Sequence, residues 1–448
     1  MKKLFLLLAL FGVVFTACEA GDGLDEGGNN SNIDYYDPNN PLSNKKCSNN
    51  EILYISKSCL PMELNTYDGW GAKLTSNIYE NGVGRLTFNG KVTTIPEKAF
   101  YENGLLEYIK FPNSVTSIGV LAFYGCNNLA SITILDGVTL IGNNAFSDCS
   151  NLSRVDISDL SAWCRINFGI EGANPLSNGA RLYISNSEVV ELIIPSDITE
   201  IKGYTFSGCT SITKVTIHNC VTSIGALAFS DCSNMINITI PDSVISVGYG
   251  AFEGCASLPI IENIRYADTY IVGVVDSTNT TYSIAENTRF IGDYAFYYCR
   301  SLIDVTIPDT VISIGSSAFE GCFRLASVTI PDSVTSIGAW AVRECKSLEN
   351  IKISESITSI GIEAFYYCNV TSITIPYSVT SIGHGAFASC GNLTSIYCKP
   401  TTPPTGNSSM FSNNASSRKI YVPRNSAEAY KSASGWSDYK WAIEGYDF

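Results

Sequence analysis

The chain has 448 residues, of which 45% are hydrophobic and 16% are charged, and its formal net charge is -14. This length suits several domains or one long repeat array, and the apolar content is sufficient for a large core. The negative charge argues against nucleic acid and anionic lipid headgroups as partners, because both repel an acidic surface. Since the chain has only two histidines, it offers little material for histidine-based catalysis or metal binding.

The N-terminus has the pattern of an export signal. Two lysines precede an apolar run, residues 4–15, which is too short to span a bilayer comfortably and has the length of a signal-peptide core. The run ends in Phe15-Thr-Ala-Cys18, which resembles a lipobox except that Phe15 stands where leucine is usual. We therefore predict a lipoprotein signal peptide at residues 1–17 and lipidation of Cys18. The alternative is an ordinary secretory signal followed by an incidental cysteine.

Residues 18–46 have the composition of a flexible tether. The stretch after Cys18 is rich in glycine, asparagine and acidic residues and cannot bury a core. Acidic residues directly after a lipidated cysteine also resemble the surface-export signals of some diderm bacteria. That resemblance implies a lipid anchor in the outer membrane with the chain on the outer face, and the periplasmic face is the alternative.

Self-similarity dominates the rest of the chain. Residues 238–255 and 305–322 are near-copies of one 23-residue unit, L-x-x-I-x-I-P-x-S-V-T-S-I-G-x-x-A-F-x-x-C-x-x. Two intervals between copies are longer, and each can hold one degenerate coil, marked by Arg181-Leu-Tyr-Ile and by Tyr270-Ile-Val-Gly-Val. The Ala-Phe landmark of the unit falls at Phe100, Phe123, Phe146, Phe206, Phe229, Phe252, Phe296, Phe319, Phe365 and Phe387, with Val342 in its place once.

The unit predicts one coil of a β-solenoid. Its Ile-x-Ile part alternates with period two and favours a strand, which the following proline ends because proline has no N–H for a ladder. Val-Thr-Ser-Ile predicts a second short strand, glycine a bend, and Ala-Phe-x-x-Cys a compact turn. One coil cannot bury its apolar side chains alone, so stacked coils are expected to place Ile on Ile and Phe on Phe. A dozen coils at roughly 4.8 Å each give a length of about 60 Å.

Ten near-copies of this motif closely resemble the BspA-like leucine-rich repeats of bacterial surface proteins, over roughly residues 85–400. The resemblance implies a right-handed solenoid with parallel sheets. It also implies roles in adhesion to host or matrix proteins, or in glycan-linked surface systems.

The two ends of the chain depart from the unit. Residues 47–98 are interpreted as an N-terminal cap with the first coil, because an open solenoid end exposes a strand edge. The solenoid is predicted at residues 99–400 and a C-terminal cap at 401–448, with Trp436 and Trp441 as aromatic anchors. The alternative for the last segment is a small independent binding domain.

Cysteine positions predict buried thiols rather than disulfides. Ten cysteines share one slot of the unit, so their side chains point the same way along the solenoid. Cys47 and Cys59 lie outside this ladder and are the best candidates for a real pair. The ladder cysteines are Cys126, Cys149, Cys209, Cys232, Cys255, Cys299, Cys322, Cys345, Cys368 and Cys390.

The chain shows no motif for catalysis, for a cofactor or for a metal. His218 and His384 occupy unrelated phases of the repeat and are interpreted as exposed positions. Asp242, Asp309 and Asp332 recur after the proline, which indicates turn chemistry rather than paired catalytic carboxylates. We therefore expect no catalytic residue, no cofactor-binding residue and no metal ligand.

Two irregular segments, residues 159–180 and 263–283, interrupt the repeat and contain aromatic residues. Exposed aromatics on a rigid scaffold favour recognition, whereas the alternative is that these side chains are buried plugs between coils. The candidate binding residues are Trp163, Phe168, Tyr266, Tyr270 and Tyr282.

These features favour a cell-surface lipoprotein that binds host, matrix or envelope macromolecules in the manner of an adhesin. The expected partner is a protein or glycan, with the membrane reached only through the lipid. One alternative is a structural or accessory envelope protein without its own ligand, and a remote one is a hydrolase.

Overall fold

The structure, a computed structural model, describes residues 39–170 and 172–448. The predicted signal peptide, Cys18 and most of the predicted tether lie outside the described residues. The described chain is a β-solenoid of about 15 turns with a spacing of about 23 residues and little helix. This confirms the predicted fold class, and the number of turns exceeds the dozen that the sequence predicted.

Each regular coil contributes two short strands joined through the Pro-x-Ser turn. Asn237–Thr239 and Ser246–Val247 are the two strands of one such coil. Gly248 follows the second strand, and a Cβ there would lie 2.4 Å from Ala226 N of the preceding coil. Glycine therefore recurs at this slot because the backbones of neighbouring coils approach too closely for a side chain.

The strands of the two slots, here called first strands and second strands, form separate ladders. The first strands are Leu106–Lys110, Ser131–Ile134, Arg154–Ile157, Arg181–Ile184, Glu191–Ile193, Lys214–Thr216, Asn237–Thr239, Thr281–Tyr282, Asp304–Val305, Ser327–Thr329, Asn350–Lys352, Ser372–Ile375, Ser395–Cys398, Lys419–Pro423 and Ile443–Tyr446. The second strands are Thr94–Ile95, Ser117–Ile118, Leu140–Ile141, Asn167–Phe168, Glu200–Ile201, Ser223–Ile224, Ser246–Val247, Phe290–Ile291, Ser313–Ile314, Ser336–Ile337, Ser359–Ile360 and Ser381–Ile382.

Other elements lie at the ends and at the irregular coils. The remaining strands are Glu51–Ser56, Leu74–Glu80, Val83–Phe88, Ser187–Glu188, Ile260–Ile261, Ile264–Ala267 and Tyr270–Val274. The α-helices are Leu160–Arg165 and Ala427–Ser432, and the 3-10 helices are Pro175–Asn178, Arg424–Ser426 and Ser437–Tyr439. No helix in the described part of the chain is long and apolar enough to cross a membrane.

The register of the ladders stacks identical slots on each other. Ile118 pairs in parallel with Ile95 on one side and Ile141 on the other. In the turns, the Phe100 and Phe123 rings stack with centroids 5.1 Å apart. These contacts confirm the predicted stacking of Ile on Ile and Phe on Phe, which gives neighbouring coils a shared apolar interior.

The cysteine ladder consists of free buried thiols, as predicted, at all ten positions. A ladder thiol typically donates a hydrogen bond to a backbone carbonyl of the preceding coil: Cys126 Sγ donates to Phe100 O at 3.1 Å, and Cys232 Sγ donates to Phe206 O at 3.2 Å. Burial raises the pKa of the Cys149 thiol to about 12. Burial therefore keeps Cys149 neutral, and its thiol acts as a small apolar group with one weak hydrogen bond.

The expected pairing of Cys47 with Cys59 is wrong, because both are free in the structure. Cys47 lies just before the strand Glu51–Ser56, and its Sγ donates to Glu51 O at 3.2 Å. Burial raises the pKa of the Cys47 thiol to about 12. Cys59 lies exposed in the turn after that strand, with a left-handed backbone.

Antiparallel strands close the N-terminal end of the solenoid. Glu51–Ser56 pairs with the first strand Leu106–Lys110, and Val83–Phe88 and Leu74–Glu80 follow outward. Trp70 is fully buried beneath them, with its ring 5.8 Å from the ring of Phe100. The indole thus terminates the phenylalanine stack at this end.

At the other end the repeat continues past residue 400, where the sequence pattern ends. Phe411 stacks on Phe387 at 5.7 Å, and Lys419–Pro423 and Ile443–Tyr446 extend the first-strand ladder in parallel. Trp436 is buried against Phe411 and donates Nε1–H to Pro404 O at 2.8 Å. The second predicted anchor is wrong: Trp441 is 56% exposed.

The buried side chains form two apolar clusters, here called the first core and the second core. The first extends from Ile52 to Phe290 and the second from Ile264 to Ile443. They meet at the hairpin of Ile264–Ala267 and Tyr270–Val274. Its side chains alternate, so Tyr270 belongs to the first core and Ile271 to the second.

Candidate functional site

The first irregular segment places its aromatics inside the solenoid. Trp163 is buried, donates Nε1–H to Thr205 O at 3.0 Å, and packs 5.2 Å from the ring of half-buried Phe168. Arg181–Ile184 forms a first strand beside Arg154–Ile157, which confirms the degenerate coil predicted there. Trp163 therefore fills the interior where this segment lacks the regular phenylalanine.

The second irregular segment also places its aromatic side chains, here tyrosines, inside the solenoid. Tyr270 packs edge-on against Phe252 at 5.1 Å, and Tyr282 packs against Phe296 at 5.3 Å. Tyr266 is also buried, and its hydroxyl accepts from Ala285 N at 3.1 Å. The Tyr270 strand belongs to an antiparallel hairpin rather than to a simple coil.

The interpretation of these aromatics as exposed recognition residues is therefore wrong for Trp163, Tyr266, Tyr270 and Tyr282. Each is at most 6% exposed and lies between coils, which is the plug alternative. The physical reason is that an insertion interrupts the phenylalanine stack, and large rings are needed to fill the space. A ligand-contacting surface must be sought on side chains that point outward.

The Ala-Phe-x-x-Cys turn supplies such side chains at every coil. Its last residue before the cysteine has a left-handed backbone, as at Tyr298 (φ 51°), Glu344 (φ 58°) and Tyr367 (φ 58°). This conformation is uncommon for residues other than glycine. It turns the chain sharply, and at these three turns the two residues before Cys, and the one after it, are at least partly exposed.

Four consecutive turns place aromatic and charged residues in these outward slots, and Arg324 and Glu363 lie near them. We call this surface the corner patch. It consists of Tyr297, Tyr298, Arg300, Glu320, Phe323, Arg324, Arg343, Glu344, Lys346, Glu363, Tyr366 and Tyr367.

A file of alternating cations and rings runs across the corner patch, one residue per coil. The Arg300 guanidinium carbon lies 5.5 Å from the Phe323 ring centroid, and Lys346 Nζ lies 4.7 Å from the same centroid. Arg300 also lies 5.2 Å from the Tyr298 ring and Lys346 5.1 Å from the Tyr367 ring. Cation–π contacts of this kind hold both cations above the surface.

Gly321 leaves space for the Tyr298 ring of the corner patch. Its φ is 73°, and a Cβ there would lie 3.0 Å from atoms of the Tyr298 ring. The Tyr298 ring thus lies over the Gly321 backbone and packs edge-on against Phe323 at 5.8 Å.

Arg343 lies among the three acids of the corner patch. Its guanidinium lies 3.5 Å from a carboxylate oxygen of Glu320, 3.8 Å from Glu344 and 3.5 Å from Glu363. The Glu320 side chain is 12% exposed, whereas that of Lys346 is 48% exposed. The carboxylates are therefore committed to ion pairs near the backbone, and the cations reach further into solvent.

Two further tyrosines continue the aromatic surface toward the second irregular segment. Tyr294 packs against Tyr297 at 5.3 Å and against Tyr249 at 6.1 Å, and all three are exposed. The Tyr249 hydroxyl donates to Tyr294 Oη at 3.3 Å, and this hydrogen bond raises the pKa of Tyr249 to about 12. The Tyr249 hydroxyl therefore remains a neutral donor at physiological pH.

A smaller aromatic group covers the first-strand face at the C-terminal end. Tyr397 and Tyr421 stack at 4.9 Å, and the exposed Tyr446 packs on Tyr421 at 5.4 Å. This group has fewer rings than the corner patch and, within the described residues, no cation–π contact.

The corner patch has the chemistry of recognition. Tyrosine and arginine are the residues that dominate binding energy at protein interfaces. Within residues 39–170 and 172–448, no three His, Cys, Asp or Glu side chains form a metal-binding group. The sequence contained a signal that motif analysis missed: Tyr-Tyr precedes the ladder cysteine twice, at residues 297–298 and 366–367.

A family model described as BspA type leucine rich repeat region, in six copies, matches residues 77–164, 180–271, 276–394 and 313–434, which is more than half of the chain. No curated protein matches the chain.

Among solved structures, a leucine-rich repeat protein from Bacteroides ovatus is 28% identical, with a TM-score of 0.31, over 52% of this chain and 63% of that one, so the chain spans less than two thirds of it. A leucine rich cell surface protein from Faecalibacterium prausnitzii is 26% identical, with a TM-score of 0.35, over 81% of this chain and 90% of that one. Pneumococcal vaccine antigen PcpA is 16% identical, with a TM-score of 0.29, over 83% and 86%. By the extent of the family match, the chain belongs to the BspA-type leucine-rich repeat proteins.

Proposed function

We propose that the chain is a cell-surface lipoprotein that binds host, matrix or envelope macromolecules through the corner patch. The observation that carries the proposal is the cation–ring file of Arg300, Phe323 and Lys346, held outward on a rigid scaffold. A solenoid uses such extended surfaces for binding because each coil adds a side chain at a fixed spacing.

The energetics favour an interface at this surface. The exposed rings of Tyr294, Tyr297 and Tyr367 are between 42% and 48% exposed. Covering them removes apolar area from water at about 25 cal/mol per Å². Their positions are fixed by the turns, so little side-chain entropy is lost on binding. Contiguous exposed aromatics on a protein surface are typical of an interaction site.

The predicted lipid anchor at Cys18 supports the proposed placement at the cell surface. Cys18 after a short apolar run resembles a lipobox, and the acidic tether resembles a surface-export signal. A tether of this kind leaves the solenoid to orient its corner patch toward a partner. We place the chain on the outer face of the outer membrane.

The experiment is a binding screen with a matched pair of variants. The full-length, detergent-solubilised chain is applied to protein and glycan arrays beside the variant Tyr298→Ala/Phe323→Ala/Tyr367→Ala. We expect saturable ligands of the wild type to lose at least tenfold in affinity with this variant, since hot-spot truncation costs about 2 kcal/mol or more.

The control is Tyr101→Ala/Tyr124→Ala. These two partly exposed tyrosines stack at 5.2 Å in the N-terminal half of the same corner, and no cation lies against their rings within the described residues. The control is expected to bind like the wild type. Ligands that bind all three proteins equally would contradict the corner patch as the binding surface, and the absence of any ligand would favour a structural or accessory role.

A further inference from the structure

We propose that the corner patch takes an acidic segment of a protein, with the carboxylates of that segment on Arg300 and Arg324 and its apolar side chains on the Tyr298 and Phe323 rings. This inference rests on the proposed function, and it names the partner chemistry of the same surface.

Two arginines of the corner patch differ from the other arginines of the described chain in the ion pairs and hydrogen bonds of their guanidinium groups. Most arginines of the described chain have a carboxylate within an ion pair, such as Arg154 with Asp156 at 2.6 Å and Arg424 with Asp447 at 2.7 Å. Others donate to backbone carbonyls, as Arg418 does to those of Asn414 and Ala415.

Within residues 39–170 and 172–448, Arg300 and Arg324 have neither a carboxylate nor a carbonyl partner for the guanidinium. Both residues are exposed; the Arg300 guanidinium lies beside the half-buried ring of Phe323, and Arg324 directly follows Phe323 in the chain. Two guanidiniums that the fold leaves unpaired at one surface indicate a site for anionic groups.

The geometry of Arg300 is suited to a carboxylate. Its guanidinium lies over the rings of Tyr298 and Phe323 at 5.2 and 5.5 Å. Stacking uses the face of the guanidinium and leaves the N–H edge for hydrogen bonds. A carboxylate accepts two parallel bonds from that edge, and the rings beneath it offer an apolar floor for a neighbouring side chain.

The distribution of charge directs an acidic segment to this surface. The corner patch carries Arg300, Arg324, Arg343 and Lys346 against three glutamates that pair with Arg343, whereas the whole chain carries -14. The rest of the chain therefore repels an acidic partner, and the exposed cations of the corner patch attract it at short range.

The same distribution favours a protein over a sulfated glycan. Glu320, Glu344 and Glu363 are interleaved with the cations and would repel a densely charged polyanion. Carboxylates spaced along a peptide can avoid them. A peptide also supplies the apolar side chains that match the Tyr298 and Phe323 rings.

The test uses a random copolymer of glutamate and tyrosine as the probe, with heparin and polylysine as comparators. Binding to the immobilised full-length chain is measured by biolayer interferometry for the wild type and for Arg300→Ala/Arg324→Ala. We expect the copolymer to bind the wild type more tightly than either comparator. The double variant is expected to lose at least tenfold in affinity, because charge-assisted hydrogen bonds are lost.

Two further variants sharpen the result. Arg424→Ala removes one exposed arginine elsewhere and is expected to bind the copolymer like the wild type. Arg300→Lys/Arg324→Lys keeps the charge without the planar fork and is expected to lie between the wild type and the alanine variant. All these positions are exposed, and circular dichroism checks that the fold is retained.

Several outcomes overturn the inference. Equal copolymer binding by the wild type and the double alanine variant does so, as does a lack of copolymer binding or a preference for heparin that depends on both arginines. If the array ligands are still lost with the Tyr298→Ala/Phe323→Ala/Tyr367→Ala variant, these outcomes leave the proposed function standing. Retention of every array ligand by that variant overturns the proposed function itself.

Discussion

Replacing one ring of the phenylalanine stack tests whether the solenoid is held together coil by coil. Phe229 is fully buried, with its ring 5.4 Å from Phe206 and 5.7 Å from Phe252. Phe229→Ala removes a buried aromatic side chain, which costs about 3–5 kcal/mol, and the loss of two ring contacts belongs to the upper part of that range. We therefore expect the local free energy of opening to fall by about 4 kcal/mol, which is roughly a thousandfold in the opening equilibrium.

The effect is expected to remain in the first core. Neighbouring coils in a solenoid interact only with each other, and the two cores meet at one hairpin, whose faces are divided between Tyr270 and Ile271. Hydrogen exchange followed by mass spectrometry measures both regions in one experiment. Peptides from residues 190–258 should exchange up to about a thousandfold faster in the variant, and peptides from residues 300–420 should be unchanged.

The matched variant is Phe319→Ala. Phe319 is equally buried and stacks on Phe296 at 5.0 Å in the second core. Its effect should be the mirror image, with faster exchange in residues 300–420. Equal loss of protection in both regions for either variant would refute the division into two cores, and no loss in either would refute the role of the stack.

Three further predictions concern the thiols, the cap and the anchor. Burial raises the pKa of Cys149 to about 12 against an ordinary value of 9.0, so iodoacetamide at pH 8.5 should label exposed Cys220 and spare Cys149, and prompt labelling of Cys149 in the folded chain would contradict this. Because the buried thiol must stay neutral, the stability that it contributes is present below pH 9 and is lost as the pH rises toward 12. Trp436→Ala should lower the free energy of unfolding by about 3–5 kcal/mol in urea titrations, whereas Trp441→Ala at an exposed position should change it by less than about 0.5 kcal/mol, and similar values for the two would count against Trp436 as the cap. Radiolabelled palmitate should enter the wild type and not Cys18→Ala, and label in both would refute lipidation at that residue.

The solenoid could be predicted from the sequence because its physics is local and repeated. A β-branched pair, a proline and a glycine at fixed spacing dictate strand, stop and bend in every coil. The slot shared by Cys126 and nine other cysteines predicted their burial, because identical slots in register must have the same surroundings. The free state of Cys47 and Cys59 could not be predicted, since it depends on how the N-terminal strands fold back.

The irregular segments resisted prediction because sequence alone does not say which way an inserted aromatic points. Trp163 and Tyr270 stand outside the repeat and resemble loop residues by position. In the structure they replace missing members of the phenylalanine stack, a demand that exists only once the coils are assembled.

The corner patch escaped notice for a related reason. Tyr298 and Phe323 lie on adjacent coils, 25 residues apart in the chain, and Arg300 contacts both rings only after the coils stack. The repeated Tyr-Tyr before the ladder cysteine was the available signal. It becomes meaningful once the turn is known to have a left-handed backbone that turns these side chains outward.

Tyrosine footprinting on intact cells is the most direct test of the corner patch as the binding surface. Cells that display the full-length chain are labelled with a tyrosine-modifying reagent before and after saturation with a ligand from the arrays, and the modified peptides are quantified. Tyr297, Tyr298 and Tyr367 should be modified without ligand and protected with it, whereas Tyr101 and Tyr124 should be modified equally in both states. Protection of Tyr101 and Tyr124 with none at the corner patch would contradict the account.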